Sequence, residues 1–295
     1  MDMNCIPARI AAGVDKTSAV AEDAIDLYPH ARETSHESMV RTLDAQVRAI
    51  WPQEAPFFTR YGLPPNARVL DAGCGTGLVT AKLAELFPEG SLLGVDILEE
   101  HLERARENAR AAGARISFER QSIYELQAPS GSFDLVVCRH VLHSLPHVDR
   151  ILAELARVTR PGGVLHLIPE DYGMLHFQPG NPDPNDMWRT VPQAFGAATN
   201  TDPLSGRNTF GLLAGLGLRD IAVDYVIVDT VRVERETMAN IFEGWRDGYA
   251  DAIERNTGMP AARARALFDA MIANVRDPRG YAVWFVPVVS ARISS

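Results

Sequence analysis

Residues 69–77 read Val-Leu-Asp-Ala-Gly-Cys-Gly-Thr-Gly, a short apolar run that ends in Asp71 and turns through glycine at every second position, Gly73, Gly75 and Gly77. An apolar run of this length closed by glycine reads as a buried strand entering a strand–helix turn. The turn carries too little side chain to keep a ligand off the backbone. A ligand lying there would meet main-chain N–H donors and an acidic acceptor, so it is expected to carry positive charge. A dinucleotide turn reads G-x-G-x-x-G and seats a pyrophosphate on the helix N-terminus. Here the third glycine comes one residue early, and Asp71 would repel a phosphate. A nicotinamide-dependent oxidoreductase is disfavoured on both counts.

Four more segments follow in the same strand–helix rhythm. Ser91–Val95 reads as a second buried strand ending in Asp96, followed by a charged helix, 99–112, with an apolar stripe at Leu102, Ala105, Ala109 and Ala112. A third element covers Ser117–Leu126 and a fourth Phe133–His140, and the fifth is a strand from Arg160 to Leu167 entered through Pro161-Gly162-Gly163. From about Arg68 to Pro169 these five motifs, in order and spacing, resemble the class I S-adenosylmethionine-dependent methyltransferases.

The resemblance implies an α/β fold, a doubly wound, seven-stranded, mostly parallel sheet with an antiparallel last strand. It implies S-adenosyl-L-methionine as cofactor, with Asp71, Gly73, Cys74, Gly75, Gly77, Asp96, Ile97, Ser122, Ile123 and Arg139 as its contacts. Asp96 lies 25 residues after Asp71, close to the interval at which nucleotide-type folds place a carboxylate for ribose hydroxyls. Asp96 also stands where a helix N-cap would, and the two roles are compatible. The family usually has an acid for the adenine amino group; this chain has Ser122, followed by Ile123 in place of a small residue. The adenine end is therefore expected to rest on backbone groups and on apolar contact with Ile97 and Ile123.

The core is read as residues 66–170, continued by 204–228 and by a last strand within 281–295. A helical cap, 1–65, precedes it, with an amphipathic helix at 35–51 that aligns Met39, Leu43, Val47 and Ile50. Leu43 and Val47 are expected in the core. Residues 171–203 form a substrate-side insertion, rich in Pro, Asn, Asp and Gly yet holding Phe177, Trp188 and Phe195. Residues 229–280 form a helical lid with Phe242, Trp245 and Tyr249 at helical spacing. In the last strand, Pro287 is expected near an end or an edge.

Substrate chemistry is assigned to these individual parts. An acceptor oxygen or nitrogen needs a base where it carries a proton, and the candidates beyond the fourth and fifth strands are His140, His143, Glu170, Asp171, Tyr172 and His176. Phe177, Trp188, Phe242, Trp245 and Tyr249 point to a planar or hydrophobic acceptor, a small molecule. The resemblance leaves methylation at O, N or C open, including carbon methylation of an aromatic ring or alkene, and it also leaves open a non-catalytic, cofactor-binding regulatory protein. Small-molecule methyltransferases of bacterial natural-product pathways combine such a core with individual lids.

A formal net charge of −9 and the lack of any Lys or Arg run argue against a nucleic-acid partner. The three cysteines, Cys5, Cys74 and Cys138, form no disulfide framework and suit a reducing cytoplasm. The N-terminus is not read as a signal peptide, and no apolar stretch reaches membrane-spanning length. No metal-ligand pattern is completed around His140, His143 and His147, so no metal is expected. The amphipathic N-terminal segment is compatible with a homodimer.

Overall fold

The computed structural model describes residues 28–30, 36–110 and 115–294. Five strands, β1 (Arg68–Ala72), β2 (Ser91–Asp96), β3 (Ile116–Arg120), β4 (Phe133–Arg139) and β5 (Thr159–Ile168), pair in parallel in the order β3-β2-β1-β4-β5. Val69, Leu70, Asp71 and Ala72 of central β1 are all buried, as a strand covered on both faces requires. The helices that cover it are α2 (Leu78–Leu86), α3 (Glu99–Asn108) and α4 (Val148–Val158). On α4, Ile151, Leu152, Leu155 and Val158 recur at helical spacing and face the sheet. α3 stops at Asn108, and Ala112 of the expected stripe lies outside the described residues.

The far side of the sheet is built by β6 (Leu175–Phe177), β7 (Arg219–Asp229) and β8 (Ala282–Arg292). β8 runs antiparallel to β5 and to β7. Because β7 pairs with β8 from residue 283 to residue 292, the other side of β8 is shared by β5, at 289–292, and by the short β6, at 282–284. The expected seven-strand width holds, with β6 as an eighth strand in line with β5. Pro287 is neither at an end nor on an edge strand. It sits in the interval of β8 between those two partners, its ring against Gly206, where an added Cβ would come within 2.7 Å.

Three helical additions close the molecule over one sheet end: α1 (His36–Arg60), α5 (Asn185–Thr199), and the pair α7 (Arg235–Thr257) and α8 (Ala261–Arg276); α6 (Ser205–Gly215) leads into β7. α1 runs nine residues past the expected end, through Pro52 and Pro56. A proline inside a helix costs about 3 kcal/mol, and what offsets it is the cargo of the last two turns. Phe58 stacks on His166 at 4.4 Å between ring centres, Glu54 is fully buried, and the Gln53 amide bonds both N and O of Ile227 along β7. Val47 is buried in the core as expected, whereas Leu43 is half-buried and lines the cavity described next. No helix among the described residues is long and apolar enough to cross a membrane.

Candidate active site

A cavity of about 390 Å³ opens at the carboxyl ends of β1, β2 and β4, where open α/β sheets place ligands. One side is the glycine turn. Gly73 N and Cys74 N donate to Val95 O at 2.8 and 2.9 Å, Gly77 N to Cys74 O at 3.0 Å, and Gly75 N to Asp96 Oδ2 at 2.9 Å. The N–H donors expected to meet a ligand are thus spent on the turn's own shape. The charge this side presents to the cavity is the Asp96 carboxylate. Gly73 has φ 76°, and a Cβ there would lie 2.5 Å from Val141 Cγ2, so no side chain fits. Gly77 lies off the cavity; at the start of α2 it lets Ala105 of α3 approach, which is a packing role.

Asp96 Oδ1 accepts Leu98 N at 3.0 Å, closing the turn that leads into α3, whose N-cap is Leu98 rather than Asp96, and the residue lines the cavity. Each carboxylate oxygen can accept twice, which leaves room for ligand hydroxyls. Asp71 is buried below the turn, in a smaller pocket with Cys74 and Arg139 rather than in the main cavity. Burial pushes its carboxyl up to about 6, against the Thr80 hydroxyl that donates at 2.6 Å and the charge of Arg139. Burial also raises the Cys74 thiol well above its ordinary range. Ile97, Gln121 and Ile123 line the main cavity. Ser122 does not line it: its Oγ accepts Tyr124 N at 3.3 Å and bonds the Tyr28 hydroxyl at 2.9 Å.

Arg139 reaches the cavity in a fixed pose. Its Nη2 donates to Glu54 Oε2 at 2.7 Å, and Glu54 Oε1 meets His166 Nε2 at 3.0 Å, itself bonded through Nδ1 to the Tyr61 hydroxyl at 2.7 Å. Burial pushes Glu54 up, but the Arg139 charge and the His166 hydrogen bond together hold its carboxyl below the ordinary value.

The opposite side of the cavity is made of rings. His140, at φ 56° just past β4, bonds Glu170 Oε1 through Nδ1, while its buried Nε2 has no partner among the described residues. His143 Nε2 meets the Tyr172 hydroxyl at 3.3 Å. Burial holds His143 well below the usual imidazole value and brings His30 down to about 4, so both rings are neutral at pH 7. His30 packs edge-on to His143 at 5.9 Å and to Phe195 at 5.1 Å. Tyr172 stacks on Trp188 at 5.7 Å and meets Trp245 edge-on at 5.3 Å. Beyond them lies an apolar annex of about 60 Å³ among Trp188, Phe195, Trp245 and Tyr249.

Not every candidate gathers here. His176 is exposed on β6, paired opposite Val283, with its ring against Phe285 at 6.4 Å. Asp171 is fully buried but tied bidentately to Arg207 at 2.7 Å and caps the turn at Gly173. Phe177 and Phe242 pack on one another at 5.2 Å in the core beneath the lid. Tyr28, His30, Gln46 and Gln121 line the cavity without having been expected to. Gln121 is one position from Ser122, near enough to be found by its neighbour; the other three carry no motif. Among the described residues no group of three His, Cys, Asp or Glu side chains could hold a metal.

Residues 69–163 match the family model described as a methyltransferase domain. That stretch, from β1 into the start of β5, is similar to a methyltransferase domain. Over 105 residues the chain is 44% identical to the trans-aconitate 2-methyltransferase of Deinococcus radiodurans, covering 34% of this chain and 37% of that protein. In an alignment of 105 residues it is 35% identical to a ubiquinone biosynthesis O-methyltransferase of Xanthomonas axonopodis, covering 35% and 43%. The chain therefore spans less than half the length of either relative. A Haemonchus contortus phosphoethanolamine N-methyltransferase solved with S-adenosylhomocysteine superposes with a TM-score of 0.54 at 16% identity, over 83% of this chain and 53% of that one. At that identity the likeness establishes the fold, the class I Rossmann-like arrangement of the methyltransferase domain.

Proposed function

We propose that the chain is an S-adenosylmethionine-dependent methyltransferase whose acceptor is a small molecule with an apolar or aromatic body. The observation that carries this reading is that one cavity joins the Gly73–Gly75 turn and the Asp96 carboxylate to a ring-lined face of His143, Tyr172, Trp245 and Tyr249. The donor end suits the cofactor: it is anionic, its turn admits no side chain at Gly73, and Asp96 keeps acceptor capacity for hydroxyls. When bound, the cofactor supplies the electrophilic methyl group on a sulfonium. The protein's share is alignment in a dry site, which in general is equivalent to roughly 7–11 kcal/mol of barrier.

The enzyme reading is favoured over a binding-only protein because Trp188, Trp245 and Tyr249 line a concave cavity and its annex rather than an exposed docking face. The relatives' names carry three different acceptors, so the acceptor here is argued from this cavity. Calorimetry with S-adenosylhomocysteine and, separately, NAD tests the cofactor. Micromolar binding of the first alone is the expected result, and tight binding of NAD alone overturns it. Mass spectrometry of acceptor mixtures, read for replacement of one hydrogen by methyl, then tests turnover.

A further inference from the structure

We propose that His140, seated on Glu170, is the catalytic base of this methyl transfer, and that the acceptor atom is the oxygen of a weakly acidic hydroxyl, a phenol or enol. The inference rests on the methyltransferase reading above and adds the acceptor atom to it.

Two buried, unsatisfied ring nitrogens carry the argument. Glu170 is completely buried and engages His140 Nδ1 with one oxygen. With Glu170 as the acceptor in this bond, the imidazole proton sits on Nδ1 and the Nε2 lone pair has no partner among the described residues, nor has Glu170 Oε2. Three positions on, His143 Nε2 faces the Tyr172 hydroxyl, and with that hydroxyl donating, the neutral ring carries its proton on Nδ1. That Nδ1 is also buried and without a partner among the described residues. Buried polar atoms are rarely left unpaired in native proteins. Among the described residues lining the cavity, His140 Nε2 is thus an orphaned acceptor and His143 Nδ1 an orphaned donor three positions away, with Arg139 Nε a further buried donor lacking a partner. A hydroxyl, which gives one hydrogen bond and takes others, is the complement of that pair. A carboxylate brings no proton for His140 Nε2, and an ammonium brings no acceptor for His143 Nδ1.

Charge points the same way. Arg139 is the one Lys or Arg among the described residues lining the cavity, and Glu54 already neutralises it. A carboxylate or phosphate acceptor would find no free counter-charge beside the rings. The backbone is also committed: His140 holds φ 56°, a left-handed conformation unfavourable for a residue with a side chain, while its N donates to Ile168 O at 2.9 Å. The ends of β4 and β5 therefore set His140 against Glu170, two residues past Ile168.

In the step itself the acceptor O–H bond breaks and its proton passes to His140 Nε2, forming an imidazolium that Glu170 stabilises. The oxygen electron pair forms the new O–CH₃ bond as the C–S bond breaks and its pair returns to sulfur. The base then loses its proton to solvent. His143 donates to the oxygen as negative charge develops there.

Nitrogen-15 NMR of the imidazoles at pH 7.5, with and without S-adenosylhomocysteine, tests the base directly. His140 is expected as the neutral Nδ1–H tautomer, with the preference lost in Glu170→Gln and restored in Glu170→Asp; a proton on Nε2 in the wild type overturns the assignment. Phenol, 2-naphthol, benzylamine and benzoate, each incubated with S-adenosylmethionine, test the atom. Methyl on a phenol oxygen is expected, with kcat falling at least about 100-fold in His140→Gln while S-adenosylhomocysteine still binds. Methyl on nitrogen or carboxylate, or on neither phenol, counts against it. Failure of S-adenosylhomocysteine to bind the wild type would sink the underlying function instead, and the tautomer measurement separates the two.

Discussion

Removing the carboxylate of Glu54 should be among the most damaging single changes in this chain. Both of its oxygens are engaged, with Arg139 at 2.7 Å and His166 at 3.0 Å, and its side chain and that of His166 are completely buried, with Arg139 at 5% exposure. Glu54→Met leaves the Arg139 guanidinium buried without a counter-charge. Breaking one partner of a buried pair costs about 3–5 kcal/mol, and the lost bond to His166 adds about 1 kcal/mol. The sum is comparable to a large part of the 5–15 kcal/mol by which domains are usually stable. At about 2–4 °C per kcal/mol for chains of a few hundred residues, the melting temperature should fall by more than 8 °C. Replacing both members, Glu54→Met with Arg139→Met, removes the stranded charge, so the double variant should be more stable than the single one. A thermodynamic cycle of these four proteins by urea unfolding, read through tryptophan fluorescence, measures the coupling, expected to exceed about 2 kcal/mol. A coupling near zero would refute the pairing and with it the reason α1 continues through two prolines.

Three further outcomes are expected. Asp96→Ala should weaken S-adenosylhomocysteine binding about tenfold or more, since hydrogen bonds to a charged group contribute about 1.5–3 kcal/mol each; unchanged affinity by calorimetry would remove Asp96 from the site. Gly73→Ala should lower both stability and cofactor affinity, because its Cβ would stand 2.5 Å from Val141 Cγ2 at φ 76°; a companion Val141→Ala that restores the melting temperature without restoring affinity would separate strain from ligand contact. His30 titrates near 4 when folded against an ordinary 6.5, because burial favours the neutral ring. Its contribution to stability is therefore fully present above pH 6.5 and is lost as pH falls toward 4, by up to roughly 3 kcal/mol. The stability gap between wild type and His30→Asn should narrow over that window, whereas a gap independent of pH would contradict the burial. Asp71, raised to about 6, works in the opposite sense, its cost growing as pH rises toward that value.

The cofactor side of the fold was legible because its constraints are local. A buried strand needs a run of apolar residues, a turn that passes under Val141 needs glycine at 73, and the acid at 96 closes the turn before the helix that follows it. β1, β2, β4 and β5 consequently fall close to where the sequence places them, whereas β3 ends at Arg120, short of the element expected to reach Leu126. What escaped is long-range. Glu54 reads as one more polar residue between two prolines, and only the fold brings it 2.7 Å from a residue 85 positions later. Phe177 and Phe242 share the aromatic signature of Trp188, Trp245 and Tyr249, yet the first two fill the core and the others line the cavity and its annex. Helical spacing gives a face, and it does not say whether the face meets a side chain or a ligand. His176 failed for the converse reason: alternation along β6 turns it outward between buried Leu175 and Phe177.

The two sides of the cavity divide the electrostatic work. Beneath and beside the turn stand Asp71 and Asp96, with Arg139 offset by Glu54, so the donor end carries net negative charge and favours a cation. On the ring side, burial keeps His30 and His143 neutral, and the adjoining annex is apolar. A site negative throughout would draw a cationic acceptor into the donor's place, and one neutral throughout would hold the sulfonium poorly. Methyl transfer discharges the sulfonium, so the attraction that holds the donor weakens once the reaction is done. The same asymmetry that orients the two reactants therefore favours release of the neutral thioether, and raising ionic strength should change donor affinity more than product affinity.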